Sequence, residues 1–373
     1  MPHAPLDDDA LAATLRPFGE SVMLPGAAYT DPAVLAWERR HHFAGMWTPL
    51  GRTAELAALR PQCSHAAFTV GDVGVLVTFA EAGVRAFANV CRRRAHELLA
   101  SGEATDRRAV LCPYHGWSYG LDGALRTAPR MAAEFALGAP GLVELPAVDW
   151  HGWLFVNASG TAKPFAEHFG TLDEYVAPYR PERLAVKARH SYEVAANWKV
   201  IVENYHECYH CPLIHPELCV VSPPNSGDNW HEPGAWVGGS MDLREQAETM
   251  SLDGRSLAVM LDGVDRRTVR YLGVLPNLLL SLHPDYVLTH RLEPLAPDRT
   301  RVDCEWLFEP SVEDPSYAVD FWDLTNQQDW RACESVQRGV SSPHYRPGPL
   351  APNENALYDW LTMLAQAYLD PAG

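Results

Sequence analysis

The stretch from Asn197 to Pro216 places carboxylates and imidazoles at spacings that suit metal chemistry: Glu203, Glu207, His210 and His215, with Cys208 and Cys211 between them. Apolar and polar residues recur at helical intervals from Asn197 to Tyr209, so a helix there puts Glu203, Glu207 and His210 on one face, three to four residues making about one turn. His215 follows His210 by five, and Pro212 and Pro216 break the helical ladder, which lets both imidazoles turn toward one ion. Two His and one carboxylate on one side of a metal, with the other positions open, is the ligand set with which non-heme Fe(II) binds and activates dioxygen. This stretch supplies only the His pair, and in a chain with 16 His such a pair also reads as structural. Zinc competes through Cys208 and Cys211, but no second C-x-x-C completes a closed site, and the two read as packed reduced thiols.

A second group lies earlier. Cys91-Arg92-Arg93-Arg94-Ala95-His96 and Cys112-Pro113-Tyr114-His115-Gly116-Trp117 each follow an expected strand. Two loops at the tips of a β-domain, each with a Cys and the second with a His, form a template for a [2Fe–2S] cluster held by thiolates on one iron and imidazoles on the other.

The elements that position these groups fall into two regions. After a helical lead-in over 1–43, with Asp31-Pro32 as a helix start, short apolar runs at 44–50, 67–70, 74–80 and 84–90 alternate with turn residues and predict a small antiparallel domain over 44–160. Runs at 109–111, 117–119 and 153–157 continue it. The remainder, 161–373, predicts a strand over 184–194, strands over 268–274, 277–283, 286–292 and 300–308, and two closing helices at 316–338 and 353–368. An antiparallel sheet wrapped on a long helix leaves a cavity between them, so the fold class is α+β.

Composition narrows the functions. A net charge of −17 opposes nucleic acid as a partner, and no apolar run reaches the roughly 18 residues that span a bilayer. The acidic start of the chain has no basic region ahead of an apolar core, so a cytoplasmic setting is expected, with the eight Cys as reduced thiols or metal ligands. Of the 30 basic residues only Lys163, Lys187 and Lys199 are Lys, so Arg-richness carries little functional weight; the seven Arg against four acids between Cys91 and Arg130 read as a docking face or as a solvated loop surface.

The Cys-Pro-Tyr-His-Gly-Trp string and the Asn-Trp-Lys helix opening, in this order, resemble the large (α) subunit of the Rieske non-heme iron oxygenases over essentially the full length. The resemblance implies an N-terminal Rieske [2Fe–2S] domain and a C-terminal helix-grip domain with mononuclear Fe(II). It assigns the third iron ligand to Asp329 of Gln328-Asp329-Trp330, on a helical stripe with Ala332, Cys333 and Val336 that faces inward. It assigns cluster ligands to Cys91, Cys112 and His115, under Tyr114 and Trp117. Glu207 stands where the family has an acid linking one subunit's cluster to the neighbour's iron, and Glu there is similar to the branch acting on quaternary ammonium compounds such as glycine betaine, carnitine and choline. The implied partners are an NAD(P)H-dependent flavin and iron–sulfur reductase, O2, a small-molecule substrate and two further copies in a homotrimer. The implied activity is monooxygenation, hydroxylating or oxidatively demethylating a quaternary ammonium compound, with Tyr205, Trp230, Trp236 and Tyr271 as aromatic faces for the cation. Two alternatives stand beside it: an oxygenase for aromatic or apolar small molecules, and a cluster-deficient, non-catalytic paralogue. The second arises because the family's first loop reads Cys-x-His and this chain has Arg93 there, a side chain with no lone pair to give iron. His96, three residues on, is the substitute to be considered.

Overall fold

A computed structural model describes residues 3–58, 64–81, 83–132, 135 and 140–370. Two compact units divide the chain: one runs from Glu38 to Phe165, and the other joins the residues up to Trp37 with those from Ala166 onward. The lead-in is thereby split: its helices at Asp8–Thr14 and Gly26–Thr30 belong with the C-terminal part of the chain, and the Arg39–Phe43 helix belongs to the other unit.

In the Glu38–Phe165 unit, β2 (His65–Val70), β3 (Val73–Ala80) and β4 (Gly83–Ala88) form an antiparallel meander, extended by β5 (Ala104–Thr105) and β9 (Glu144–Leu145) at its edges. A second sheet pairs β6 (Val110–Leu111), β7 (Ser118–Tyr119) and β8 (Leu125–Thr127), and a third pairs β1 (Thr48–Arg52), β11 (Trp153–Val156) and β10 (Ala147–Trp150). Alternation divides the side chains: Val75, Val77 and Phe79 of β3 enter one core cluster, while Leu76 enters another with Phe87, Cys91, Cys112, Trp117 and Tyr119. The second cluster is what fixes the two Cys-bearing loops.

The other unit holds a seven-stranded antiparallel sheet in the order β12 (Ala185–Val194), β18 (Arg299–Phe308), β17 (Val287–Ala296), β16 (Leu278–Leu282), β15 (Thr268–Val274), β14 (Trp236–Asp242), β13 (Asn229–Trp230). The Ser316–Val340 helix packs on β12 and on the Trp198–Tyr205 helix, and the Asn355–Leu369 helix packs on β13 and β14. This is the sheet-on-long-helix arrangement. β13 and β14 had no sequence signal, because Gly238 and Gly239 interrupt the β-branched pattern. Each admits a partner: a Cβ at Gly238 would lie 2.7 Å from the Trp230 ring, and one at Gly239 would lie 2.5 Å from Asn229 Oδ1.

The central helix is shorter than its periodicity predicts. Asn197 caps it, its Oδ1 accepting from the Lys199 amide at 3.0 Å while its Nδ2 donates to the carbonyls of Tyr29 and Pro297. It ends at Tyr205, where side chains anchor the chain outward: the Tyr205 hydroxyl donates to the Leu280 carbonyl at 2.8 Å, and His206 fills the space a Cβ at Gly273 would need, 2.0 Å from that position. Glu207 therefore lies beyond the helix. Glu203 does not share a face with it but is buried, accepting from the Tyr29 hydroxyl at 2.8 Å, and burial pushes its carboxyl up to about 8 against the pull of Tyr29 and Lys199.

Candidate functional site

Glu207 replaces the missing helical turn with its own side chain: Oε2 accepts from the amides of Tyr209 (2.5 Å) and His210 (3.3 Å), and Oε1 accepts from His210 Nδ1. The contact expected of a helix is thus made by a capped turn. With Nδ1 donating to Glu207, the His210 lone pair is on Nε2. His215, at the junction of Cys211–Ile214 and Pro216–Val221, is tied in the same way: Nδ1 donates to Gln328 Oε1 at 2.7 Å, and Gln328 Nε2 donates to Glu217 at 3.0 Å.

Both Nε2 atoms face Asp329 on the Ser316–Val340 helix. His210 Nε2 and His215 Nε2 are 3.2 Å apart, and Asp329 Oδ1 is 2.8 Å from the second and 3.4 Å from the first. Right-angled bonds of roughly 2.1 Å to one ion separate their donor atoms by about 3 Å, so these three fit one face of an octahedral metal. Among the described residues they are the group of His, Cys, Asp and Glu that converges closely enough to hold an ion. Burial opposes charge on His210, yet Asp329 and Glu207 outweigh it and raise the ring to about 10; the same balance raises His215 and, through both imidazoles, lowers Asp329.

Cys208 and Cys211 form a disulfide, which corrects the reading of them as packed reduced thiols: the turn brings their Cα atoms to 5.0 Å, within reach of a bridge. Cys91, Cys112, Cys219, Cys304 and Cys333 are free thiols, and Cys63 lies outside the described residues. Val336 departs from the inward stripe, being 48% exposed, while Cys333 one turn before it is buried.

A cavity of about 330 Å³ opens beside the three donors, between the sheet and the helix. One of its walls is a run of rings: Trp322, Tyr271, Tyr205, His290 and Trp330, with successive centroids 5.8–6.5 Å apart. Tyr205 and Tyr271 were expected there. Trp230 and Trp236 do not line it; both pack on Tyr175 and the Trp236 N–H donates to Pro233. Sequence reading missed Trp322, Trp330 and His290, although Trp322, Asn326, Asp329 and Trp330 follow helical spacing and would have been found by extending the stripe upstream from Asp329. Burial pushes His290 down to about 4, so it is neutral.

The loops at Cys91 and Cys112 are built alike. Each Cys amide donates to the carbonyl five residues on (His96; Trp117), and each Cys carbonyl accepts from the amide four residues on (Ala95; Gly116). That fourth residue has positive φ in both, 55° at Ala95 and 74° at Gly116. Both sulfurs are buried, and Tyr119, 3.4 Å from Cys91 Sγ, helps hold that thiol below its ordinary range against burial, whereas burial raises Cys112. Tyr114 is half exposed, its ring centroid 3.7 Å from that of His115 at a tilt of 43°, and Trp117 is buried. His115 is held below its ordinary value by partial burial and the positive charge of Arg93. Arg93 is exposed, and so is His96, whose Nδ1 is engaged by the Glu97 carbonyl. Two thiolates and one imidazole suit a Rieske cluster, but the fourth donor is missing, so the residues do not fit the complete group.

Residues 181–369 match the family described as ring hydroxylating alpha subunit (catalytic domain), and residues 46–146 match the Rieske [2Fe-2S] domain. The chain is 32% identical to the glycine betaine monooxygenase oxygenase subunit of Chromohalobacter salexigens, covering 91% of this chain and 84% of that protein. It is 34% identical to the carnitine monooxygenase oxygenase subunit of Escherichia coli K12, covering 88% and 86%. A crystal structure of a quaternary ammonium Rieske monooxygenase in complex with L-carnitine superposes with a TM-score of 0.75 at 22% identity, over 97% of this chain and 99% of that one.

Proposed function

The chain belongs to the ring-hydroxylating α-subunit family of Rieske non-heme iron oxygenases, and from that premise we propose that it is the oxygenase component of a monooxygenase acting on a quaternary ammonium compound. The observation that carries this is the opening of the His210, His215 and Asp329 donors onto a cavity walled by Trp322, Tyr271, Tyr205 and Trp330. Fe(II) held by those three would supply the binding and activation of dioxygen. In the net reaction one C–H of a methyl group becomes C–OH, the second oxygen atom leaves as water, and two electrons and two protons are consumed. Where that methyl is on nitrogen, the C–N bond then breaks, its electron pair stays on nitrogen, the hydroxyl proton is released to solvent and formaldehyde departs.

The chain's own groups prepare this. Glu207 and Gln328 fix the tautomers of His210 and His215, so each Nε2 lone pair points inward, and Asp329 offsets metal charge. The ring faces attract a cation that has shed its water and keep the methyl group beside the metal ligands. Family members draw electrons from a reductase, and for this chain we take it to be an NAD(P)H-dependent flavin and iron–sulfur protein, acting on a homotrimer. Cys91, Cys112 and His115 are the proposed cluster ligands, and Arg93 in the fourth place has no lone pair to offer iron.

The test supplies electrons chemically to the Fe(II)-loaded protein in the presence of ¹⁸O2 and N-methylated quaternary ammonium compounds. One labelled oxygen in the product or in released formaldehyde is expected. Labelling of naphthalene, with none in the ammonium compounds, would favour the aromatic-substrate alternative.

A further inference from the structure

Behind the cavity wall, a second set of side chains leads toward the surface. On β12, His190 and Tyr192 are two residues apart and so project from the same face of the strand. On the Ser316–Val340 helix, which packs on β12, Asp323, Gln327 and Trp330 stand at i, i+4 and i+7 and form one stripe. The Trp330 ring lines the cavity, one residue after Asp329 in the chain. Tyr192 is not among the lining residues but packs on Trp330, with ring centroids 5.8 Å apart, a separation at which aromatic rings are in direct contact.

Tyr192 differs from the wall tyrosines in what its hydroxyl meets. It donates to Asp323 Oδ1 at 2.5 Å, the short separation of a hydrogen bond to a carboxylate. Gln327 Nε2 donates to Asp323 Oδ2 at 2.7 Å, and His190 Nδ1 lies 3.0 Å from the phenol oxygen and 3.2 Å from Oδ1. The Asp323 side chain is 31% exposed, so a proton placed on it can pass to solvent. A phenol gives up an electron readily only when its proton leaves at the same time, and the wall tyrosines have no base to receive one: the Tyr205 hydroxyl donates to the Leu280 carbonyl, and that of Tyr271 has no partner. Tyr317 does reach a carboxylate, Asp285, but is joined to the wall only through Trp322 and the Tyr286 ring in turn.

Resting on the reading of His210, His215 and Asp329 as a mononuclear Fe(II) site, we propose that Tyr192 is a redox-active tyrosine, which takes an oxidising equivalent out of that site through Trp330 when oxidant is reduced there with no substrate against the wall. With hydrogen peroxide as the oxidant, the Tyr192 O–H bond breaks, one electron passes by way of Trp330 to the site, and the proton passes to Asp323. That electron, a second from Fe(II) and two protons from solvent reduce one peroxide to two waters, leaving Fe(III), a Tyr192 phenoxyl radical and a protonated Asp323. The damage is thereby moved from the wall rings that hold the substrate to a half-buried ring that does not.

The test is freeze-quench EPR on the full-length protein, loaded with Fe(II), free of substrate and mixed anaerobically with hydrogen peroxide. A tyrosyl signal should appear, and it should narrow in protein made with ring-deuterated tyrosine, which sets it apart from a tryptophan radical. Tyr192→Phe should lose the signal while metal analysis finds the same iron per chain, which reports that the variant is folded. Trp330→Phe keeps a ring that is harder to oxidise and should suppress the signal too. Asp323→Asn still accepts from the hydroxyl but cannot take its proton, and should lower the radical yield. After repeated additions of peroxide, peptide mass spectrometry should find oxidation at Tyr192, and in Tyr192→Phe it should move to Tyr205, Tyr271 and Trp330. A tyrosyl signal of full size in Tyr192→Phe would overturn the proposal, and its loss in Tyr317→Phe would then put the exit at Tyr317. A full signal in Trp330→Phe or in Asp323→Asn would overturn the part given to that residue. Absence of any tyrosyl signal from iron-loaded protein would overturn the exit and leave the monooxygenase reading standing, whereas failure to take up iron would remove both.

Discussion

The imidazoles of the His210–His215–Asp329 group and the side chains of the Cys91–Cys112–His115 group sit on short turns, with Asp329 on a long helix, and the two groups are supported differently. Behind the first, Glu207 holds one imidazole and the Gln328–Glu217 pair holds the other, so direction and tautomer are set by side chains. Behind the second, main-chain hydrogen bonds shape the turns and Tyr119 backs one sulfur, but no described residue hydrogen-bonds the His115 ring. A centre of the first kind specifies its donors through a network, and the loss of one member strands the others. In the second kind the turn and the donors are separable: backbone atoms of Cys91, Ala95 and His96 close the turn, and the Arg93 side chain takes no part in closing it.

The largest effect expected is all-or-none. Asp329→Ala or His215→Ala should take mononuclear iron from one per chain to none by metal analysis after reconstitution, and activity with it. Retention of iron in both variants would break the comparison on its better-supplied side. Next, Arg93→His should bring acid-labile sulfide from well under two per chain up to two and create a reduced Rieske EPR signal. A normal cluster in the unaltered protein would show that His96 supplies the fourth ligand after all. Glu207→Gln should weaken Fe(II) affinity roughly ten- to hundredfold, measured by chelator competition, while saturating Fe(II) still loads the site fully.

A smaller, graded contrast is in pH. His210 is raised from 6.5 to about 10, so at pH 7 its ring holds a proton that Fe(II) has to displace. The proton is bound below that value and lost above it, so apparent affinity should rise with pH, by up to about tenfold per unit between pH 7 and 9. His115 is shifted the other way and is already neutral there, so it should add no such slope. Smallest of all, Ala95→Gly should stabilise the chain by about 0.5–1 kcal/mol in denaturant titration, since Ala95 adopts a left-handed conformation that the matching turn gives to Gly116.

Much of this was legible in residue types and spacing. His210 and His215 stood out because Pro212 and Pro216 bracket them, and the strands from Thr268 to Phe308 because their apolar runs end at turn residues. Asp329 emerged only through resemblance, since it is one of four acids in its 25-residue helix, with Asp320, Asp323 and Glu334, and has no local signature. The early end of the central helix was illegible because it is imposed from a distance, by Gly273 making room for His206 and by Leu280 holding Tyr205. The same holds for the ring wall: Trp230, which does not line the cavity, fills the space that Gly238 leaves. The Cys208–Cys211 bridge followed from a turn that the periodicity had read as continuous helix.

The matched turns bear on how such a chain persists. Because the turn at Cys91 is closed by the carbonyl of His96 and the amide of Ala95, an exchange of His for Arg at position 93 leaves every bond that holds the loop in place. Chaperones and proteases, which sense exposed core and open backbone, have nothing to detect. Such an exchange is visible only to selection on electron delivery, and a lineage in which that demand is relaxed can carry it for long periods at normal protein abundance.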